Sequence, residues 1–121
     1  MALVSELPVY RDTMSLTKEL YLLVKNFSKM YKYTLGEELT KTPILLIKIL
    51  FQANSVSNSE KIPFLKKFLE NFELLKAFLT LSLELNVCNV TEQKKVLILV
   101  DKVGKQVNGW KRKLEDDAKK N

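Results

Sequence analysis

The sequence predicts an all-α fold, an antiparallel up-down-up-down four-helix bundle, and three observations predict it. Only three Gly and three Pro punctuate 121 residues, so long element interiors run unbroken, unlike those of a many-turned β fold. Leu, Lys and Glu dominate, with few stretches showing the Val/Thr/Tyr alternation of strands. Apolar-periodic segments of about 18–28 residues are separated by short polar breaks, the spacing of antiparallel neighbours. No stretch reads as a linker and no internal repeat is evident, so residues 1–121 are expected to form one domain. At 46% apolar residues the chain can build a core without disulfides or metal.

The first helix is expected over about 8–27. Pro8 suits an opening turn, where its missing N–H costs nothing. Tyr10, Met14, Thr17, Tyr21 and Val24 form one seam and Leu16, Leu20, Leu23 and Phe27 a second, together a broad core-facing stripe. Residues 28–34 connect to a second helix over about 35–56. Pro43 lies in its interior, where it removes one hydrogen bond and crowds the preceding turn; a continuous, bent helix is preferred to a start near Thr42. The third helix, about 60–86, opens on Ser57-x-x-Glu60, a candidate capping box that puts Pro63 in the first turn. The fourth, about 91–114, opens on Thr91 as N-cap with Glu92 in the first turn, and residues 116–121 read as a frayed tail.

Helices two and three carry more apolar surface than one bundle face needs. The runs Ile44–Phe51 and Leu74–Leu85 wrap nearly the whole circumference, whereas a bundle helix buries about three positions in seven. A generous monomer core would absorb the surplus; self-association is the preferred reading, with Leu74, Phe78, Leu81 and Leu85 as candidate oligomer interface.

Charge is the other signal. The net charge is +6, and residues 91–121 hold nine basic and five acidic groups. At 100° per residue Lys94, Lys95, Lys102, Lys105, Arg112 and Lys113 share one arc of about 100°. That arc runs about 28 Å along the helix. Asp101 flanks it and Asp116 enters it only beyond Lys113. Any amphipathic helix needs a polar face, but a merely solvated one usually mixes signs. A ridge of one sign attracts polyanions by releasing their counterions. Lys29, Lys32 and Lys48 are secondary candidates.

Other chemistry is poorly supplied. There is no His, which removes His acid–base catalysis, His-ligated metal and Ser–His or Cys–His pairs. One Cys makes neither an intrachain disulfide nor a Cys-rich zinc site. No phosphate-cradling glycine motif occurs, and Glu37-Glu38 and Asp116-Asp117 read as solvated charges. No cofactor and no catalytic residue is expected. No uncharged apolar stretch reaches the roughly 18 residues of a membrane span, and the N-terminus lacks the pattern of a signal peptide. The expectation is a soluble cytoplasmic protein whose lone Cys88 is a small filler.

The runs Phe27-Ser28-Lys29, Tyr33-Thr34-Leu35-Gly36, Ala53-Asn54, Glu73-Leu74-Leu75 and Val103-Gly104-Lys105-Gln106-Val107-Asn108-Gly109-Trp110 together resemble the accessory variability determinant proteins of diversity-generating retroelements. These belong to a broader group of four-helix bundles that includes products of intervening sequences in bacterial 23S ribosomal RNA genes. Phe27-Ser28-Lys29 is similar to the Phe-Pro-Lys that often ends helix one in the group, with Ser28 in place of the usual Pro. Tyr33-Thr34-Leu35-Gly36 is similar to its entry into helix two, and Ala53-Asn54 and Glu73-Leu74-Leu75 follow. Val103-Gly104-Lys105-Gln106-Val107-Asn108-Gly109-Trp110 is the most specific run and points to the retroelement branch. Its glycines would permit close backbone approach and Trp110 would bury a large ring.

The resemblance implies a non-catalytic homopentamer with a basic surface that binds a reverse transcriptase and its template RNA or cDNA in support of mutagenic reverse transcription. The basic residues named above would then contact phosphates or an acidic polymerase surface. A bundle of the broader group with some other partner is the alternative, separated by whether a reverse transcriptase gene lies nearby. A toxin-type helical ribonuclease would need the Arg-x4–6-His motif that this chain lacks. A membrane-surface role for the basic helix would compete with its apolar face being needed in the core.

Overall fold

Pro8 occupies the first position of helix α1, Pro8–Lys25, after a short 3-10 turn at Val4–Glu6. The structure is a computed structural model and describes residues 3–120. A one-turn helix, α2, spans Lys29–Lys32, and three long helices follow: α3 Leu35–Asn54, α4 Asn58–Glu84 and α5 Val90–Lys119. No strand occurs among the described residues. Helix α1 packs on α3 and α5, and α4 packs on the same two, so the four long helices surround a common core. Leu16, Leu20, Leu39, Leu46, Ile49, Leu50, Leu65, Phe68, Leu75 and Val103 are wholly buried there. Burying each such side chain contributes about 1.5–3 kcal/mol.

The elements differ from the sequence expectations at their ends. Helix α3 runs without a break through Pro43. Helix α4 starts at Asn58, so Pro63 falls in the second turn rather than the first. Both Pro63 and Ser59, whose carbonyl it leaves without a helical donor, are exposed to water. Ser57 is the N-cap, but the expected capping box does not form: its hydroxyl pairs with that of Ser59 at 3.2 Å and makes no cap hydrogen bond.

Helix α4 ends in a Schellman turn, with Asn86 at φ 57° and Val87 N–H reaching Ser82 O at 2.9 Å. The N-cap of α5 is Asn89, not Thr91. Its side chain accepts from Glu92 N–H at 2.8 Å while Glu92 accepts from Asn89 N–H at 3.0 Å, a complete reciprocal box. The tail expected to fray from residue 116 continues α5 to Lys119; Asn121 lies outside the described residues. No Gly or Pro stops the helix there, and Lys111 pairs with Glu115 one turn on, at 3.2 Å.

The first helix buries the whole expected seam of Leu16, Leu20, Leu23 and Phe27, together with Val24, but only part of the other seam. Val9, Thr13, Leu16, Leu20 and Leu23 are buried, whereas Met14 and Tyr21 of the expected seam are 45% and 48% exposed. Thr13 can join the core because its hydroxyl donates to Val9 O at 2.7 Å and so is not buried unpaired.

Gly36 fixes the α1–α3 corner. A Cβ there would come within 2.7 Å of Val24 Cγ1 and 3.2 Å of Tyr31 O. Gly36→Ala is therefore expected to force the two helices apart and cost about 1–3 kcal/mol, readable as a lower urea midpoint with an unchanged m-value. Ser28, the N-cap of α2, holds φ −62°, a value that proline also adopts.

Candidate nucleic-acid interface

Helix α5 presents its two faces as the 3.6-residue period requires. Val96, Val100, Val103, Val107 and Leu114 are buried, and Leu99 and Trp110 are half-buried beside them. Lys94, Lys95, Lys102, Lys105, Arg112 and Lys113 are all exposed. The structure thus brings these six onto the outer side of one continuous helix.

Their electrostatic states differ. Lys105 Nζ lies 3.0 Å from Asp101, one turn back, and Lys102 Nζ lies 3.9 Å from Asp12 on α1. Asp12 is held in place by Gln106, whose Nε2 donates to it at 2.6 Å. Such exposed pairs contribute little to stability, yet they offset two of the six charges. Lys94, Lys95, Arg112 and Lys113 make no ion pair among the described residues. The ridge is a core of four unpaired cations with two damped ones between them.

Lys105 and Arg112 also rim a groove of about 510 Å³ between α4 and α5, with Phe72 and Gly104 on its floor. Gly104 allows close approach, since a Cβ would lie 3.2 Å from the Phe72 ring. Gly109 does not: no atom comes within 4 Å of a Cβ built there. Trp110 is only half-buried, lying with Leu7, Pro8 and Val9 beside the start of α1.

The secondary lysines do not join the ridge. Lys29 and Lys32 lie on α2, at the corner between α1 and α3, and Lys48 on α3. Lys48 instead lines a groove of about 410 Å³ with Ile44, Leu45, Leu74 and Phe78. Leu74, Phe78 and Leu81 share one face of α4 and Leu85, its C-cap, extends the row, at spacings of four, three and four. Leu74, Leu81 and Leu85 are 52%, 41% and 45% exposed, and Phe78 is half-buried against the core.

Two interior polar groups escaped sequence reasoning. Lys61 is buried at the start of α4, its Nζ donating to Ala53 O and Val56 O at 2.7 Å each. Burial pushes its ammonium below the usual lysine value. Gln93 is buried where α4 meets α5, donating to Leu79 O at 2.9 Å and to Cys88 Sγ at 3.3 Å. Burial raises the Cys88 thiol, the Gln93 bond opposes this, and the Glu92 carboxylate adds to it. The thiol therefore stays protonated and unreactive at neutral pH. Neither group had a local sequence signal, because the partners of each lie on or beside the preceding helix: Ala53 and Val56 for Lys61, Leu79 and Cys88 for Gln93, whose Oε1 stays without a partner among the described residues.

No helix of the described residues is long and apolar enough to cross a membrane. No curated protein matches the chain. A family model described as bAvd-like matches residues 9–114, from the buried start of α1 to the last core residue of α5. The chain belongs to the bAvd-like family, that of bacterial accessory variability determinants.

Proposed function

We propose that this protein is a non-catalytic, cytoplasmic accessory subunit of a diversity-generating retroelement that binds the reverse transcriptase and template RNA or cDNA through the outer face of α5. The observation that carries the reading is the set of four unpaired, exposed cations, Lys94, Lys95, Arg112 and Lys113, along one helix. Lys102 and Lys105 extend it, and Lys29, Lys32 and Lys48 add long-range attraction from other surfaces. The polymerase does the chemistry; the bundle supplies a charged platform.

The reading includes self-association, as a pentamer, through Leu74, Phe78, Leu81 and Leu85. In that assembly each copy repeats the ridge and multiplies the field. It also includes one domain with up-down-up-down helices. Two contacts at opposite ends of α1 and α3 support that order: Tyr10 against Phe51 at 5.8 Å, and Val24 against Gly36.

The test combines the solution mass of the full chain with its affinity for template RNA and for the reverse transcriptase across a salt series. Four phosphate contacts per copy on a single strand give a log–log salt slope of about −3. A monomer, or a flat salt dependence, refutes the platform.

A further inference from the structure

A second surface of different chemistry lies at the corner where α1 turns into α3. Tyr21, Leu22 and Lys25 from the end of α1 line one groove with Lys32 and Tyr33 from the α2 turn and Glu37 and Thr40 from α3. Its volume is about 580 Å³. Tyr33 is 67% exposed and Tyr21 48%, and neither ring stacks on another aromatic or makes a hydrogen bond among the described residues. The polar groups that could compete for a ligand are engaged. Thr40 donates to Gly36 O at 3.0 Å, and Glu37, the acid of the groove, is paired with Lys41 at 3.3 Å. Lys25 and Lys32 have no ion pair among the described residues.

We infer that this groove is a stacking site for unpaired bases of a single-stranded nucleic acid, with Tyr21 and Tyr33 taking the bases and Lys25 and Lys32 the flanking phosphates. The inference rests on the proposal that the protein binds nucleic acid, and deepens it by naming the strand state that is recognised. A tyrosine offers a flat, sequence-tolerant face to any base. A duplex keeps its bases stacked on one another and presents phosphates alone, which a ridge of cations such as that on α5 holds without discrimination. Two unpartnered aromatic rings interleaved with cations therefore add what the ridge lacks, a preference for single strands. The groove lies between α1 and α3, whereas α5 contacts α1 and α4, so the two surfaces can be disabled separately.

The experiment uses the full chain and three fluorescent RNA probes of about 20 nucleotides: a single-stranded oligouridylate, the same backbone without bases, and a duplex. Tyr21→Ala combined with Tyr33→Ala is expected to weaken single-strand binding about 10- to 100-fold, leaving duplex affinity and the salt slope unchanged. Tyr21→Phe with Tyr33→Phe keeps the rings and should bind like wild type. Lys25→Gln with Lys32→Gln should flatten the single-strand salt slope by about 1.4. Both tyrosines are exposed, so circular dichroism should show an intact fold.

The inference is overturned if the alanine pair binds the single strand as wild type does, if the abasic strand binds as tightly as the oligouridylate, or if duplex affinity falls equally. It is also overturned if the alanine pair instead alters solution mass, or binding to phosphatidylserine vesicles, with RNA affinity unchanged. In each case loss of RNA binding by ridge variants still upholds the α5 proposal. Wild-type protein that binds none of the three probes removes both.

Discussion

Reversing Lys94, Lys95, Arg112 and Lys113 to Glu should lower RNA affinity by two to three orders of magnitude at about 0.1 M salt, because four counterion-releasing contacts disappear together. These four are chosen because no carboxylate among the described residues pairs with them, unlike Lys102 and Lys105. The salt slope should flatten by about 3. All four are exposed, so the folded state should lose little. Residues 112 and 113 lie more than one turn before the end of α5 at Lys119, so new carboxylates there meet little of the helix dipole.

A matched gain comes from Asp101→Asn. Freed from its carboxylate at 3.0 Å, Lys105 should join the contact set and steepen the slope by about 0.7. Fluorescence anisotropy against template RNA across a salt series reads both effects. Affinity and slope left at wild-type values in the fourfold reversal would take α5 out of the binding mechanism.

What the sequence revealed and what it hid divide along one physical line. Period and punctuation are local, and they located the long helices to within a few residues and put all six ridge cations outside. The Asn89-x-x-Glu92 box was equally local and readable; Thr91, two residues on, was a competing cap with the same chemistry. The run of α5 past Leu114 was readable too, since nothing in Glu115–Lys119 breaks a helix.

Tertiary facts were not legible. Asp12 sits 90 positions from Lys102 in the chain, so its damping of the ridge needs the α1–α5 contact to exist. Met14 and Tyr21 fitted an apolar seam as well as Val9 and Thr13 did. Which of these residues turn inward was decided by the neighbours α1 meets, together with the ability of the Thr13 hydroxyl to bond Val9 O. Gly109 looked like a packing glycine because it stands five residues from one, yet five residues turn a helix by about 500°, or 140° net, away from Phe72.

Lys61→Met should destabilise the fold by about 3 kcal/mol, although position 61 reads in the sequence as an ordinary surface lysine. Its ammonium donates to Ala53 O and Val56 O, both at 2.7 Å, and so serves as the C-terminal cap of α3 supplied by the first turns of α4. Methionine keeps the stem's packing but leaves two carbonyls without a donor, one at a fully buried residue, Ala53. For a chain of this length the loss corresponds to a fall in Tm of roughly 10–15 °C.

The pH dependence follows from the direction of the shift. Burial places the folded-state value of Lys61 below 10.5, so at pH values between the two the unfolded chain binds more protons and stability rises with pH. The margin of wild type over Lys61→Met should therefore widen from neutral pH toward 10.5, and urea titrations at both ends read it. A margin that shrinks over that interval would mean the fold holds the ammonium more tightly than water does, reversing the direction of the shift, whereas a variant within 0.5 kcal/mol of wild type (roughly the spread of ordinary surface substitutions) would mean water caps α3 equally well. The corner also bears on the ridge. Leu114 packs beside Asn58 and Ser59 at the start of α4, one residue beyond Lys113. Loosening the α3–α4 turn should then raise amide exchange across the last turns of α5, reducing the order of Arg112 and Lys113 with no change in their charge.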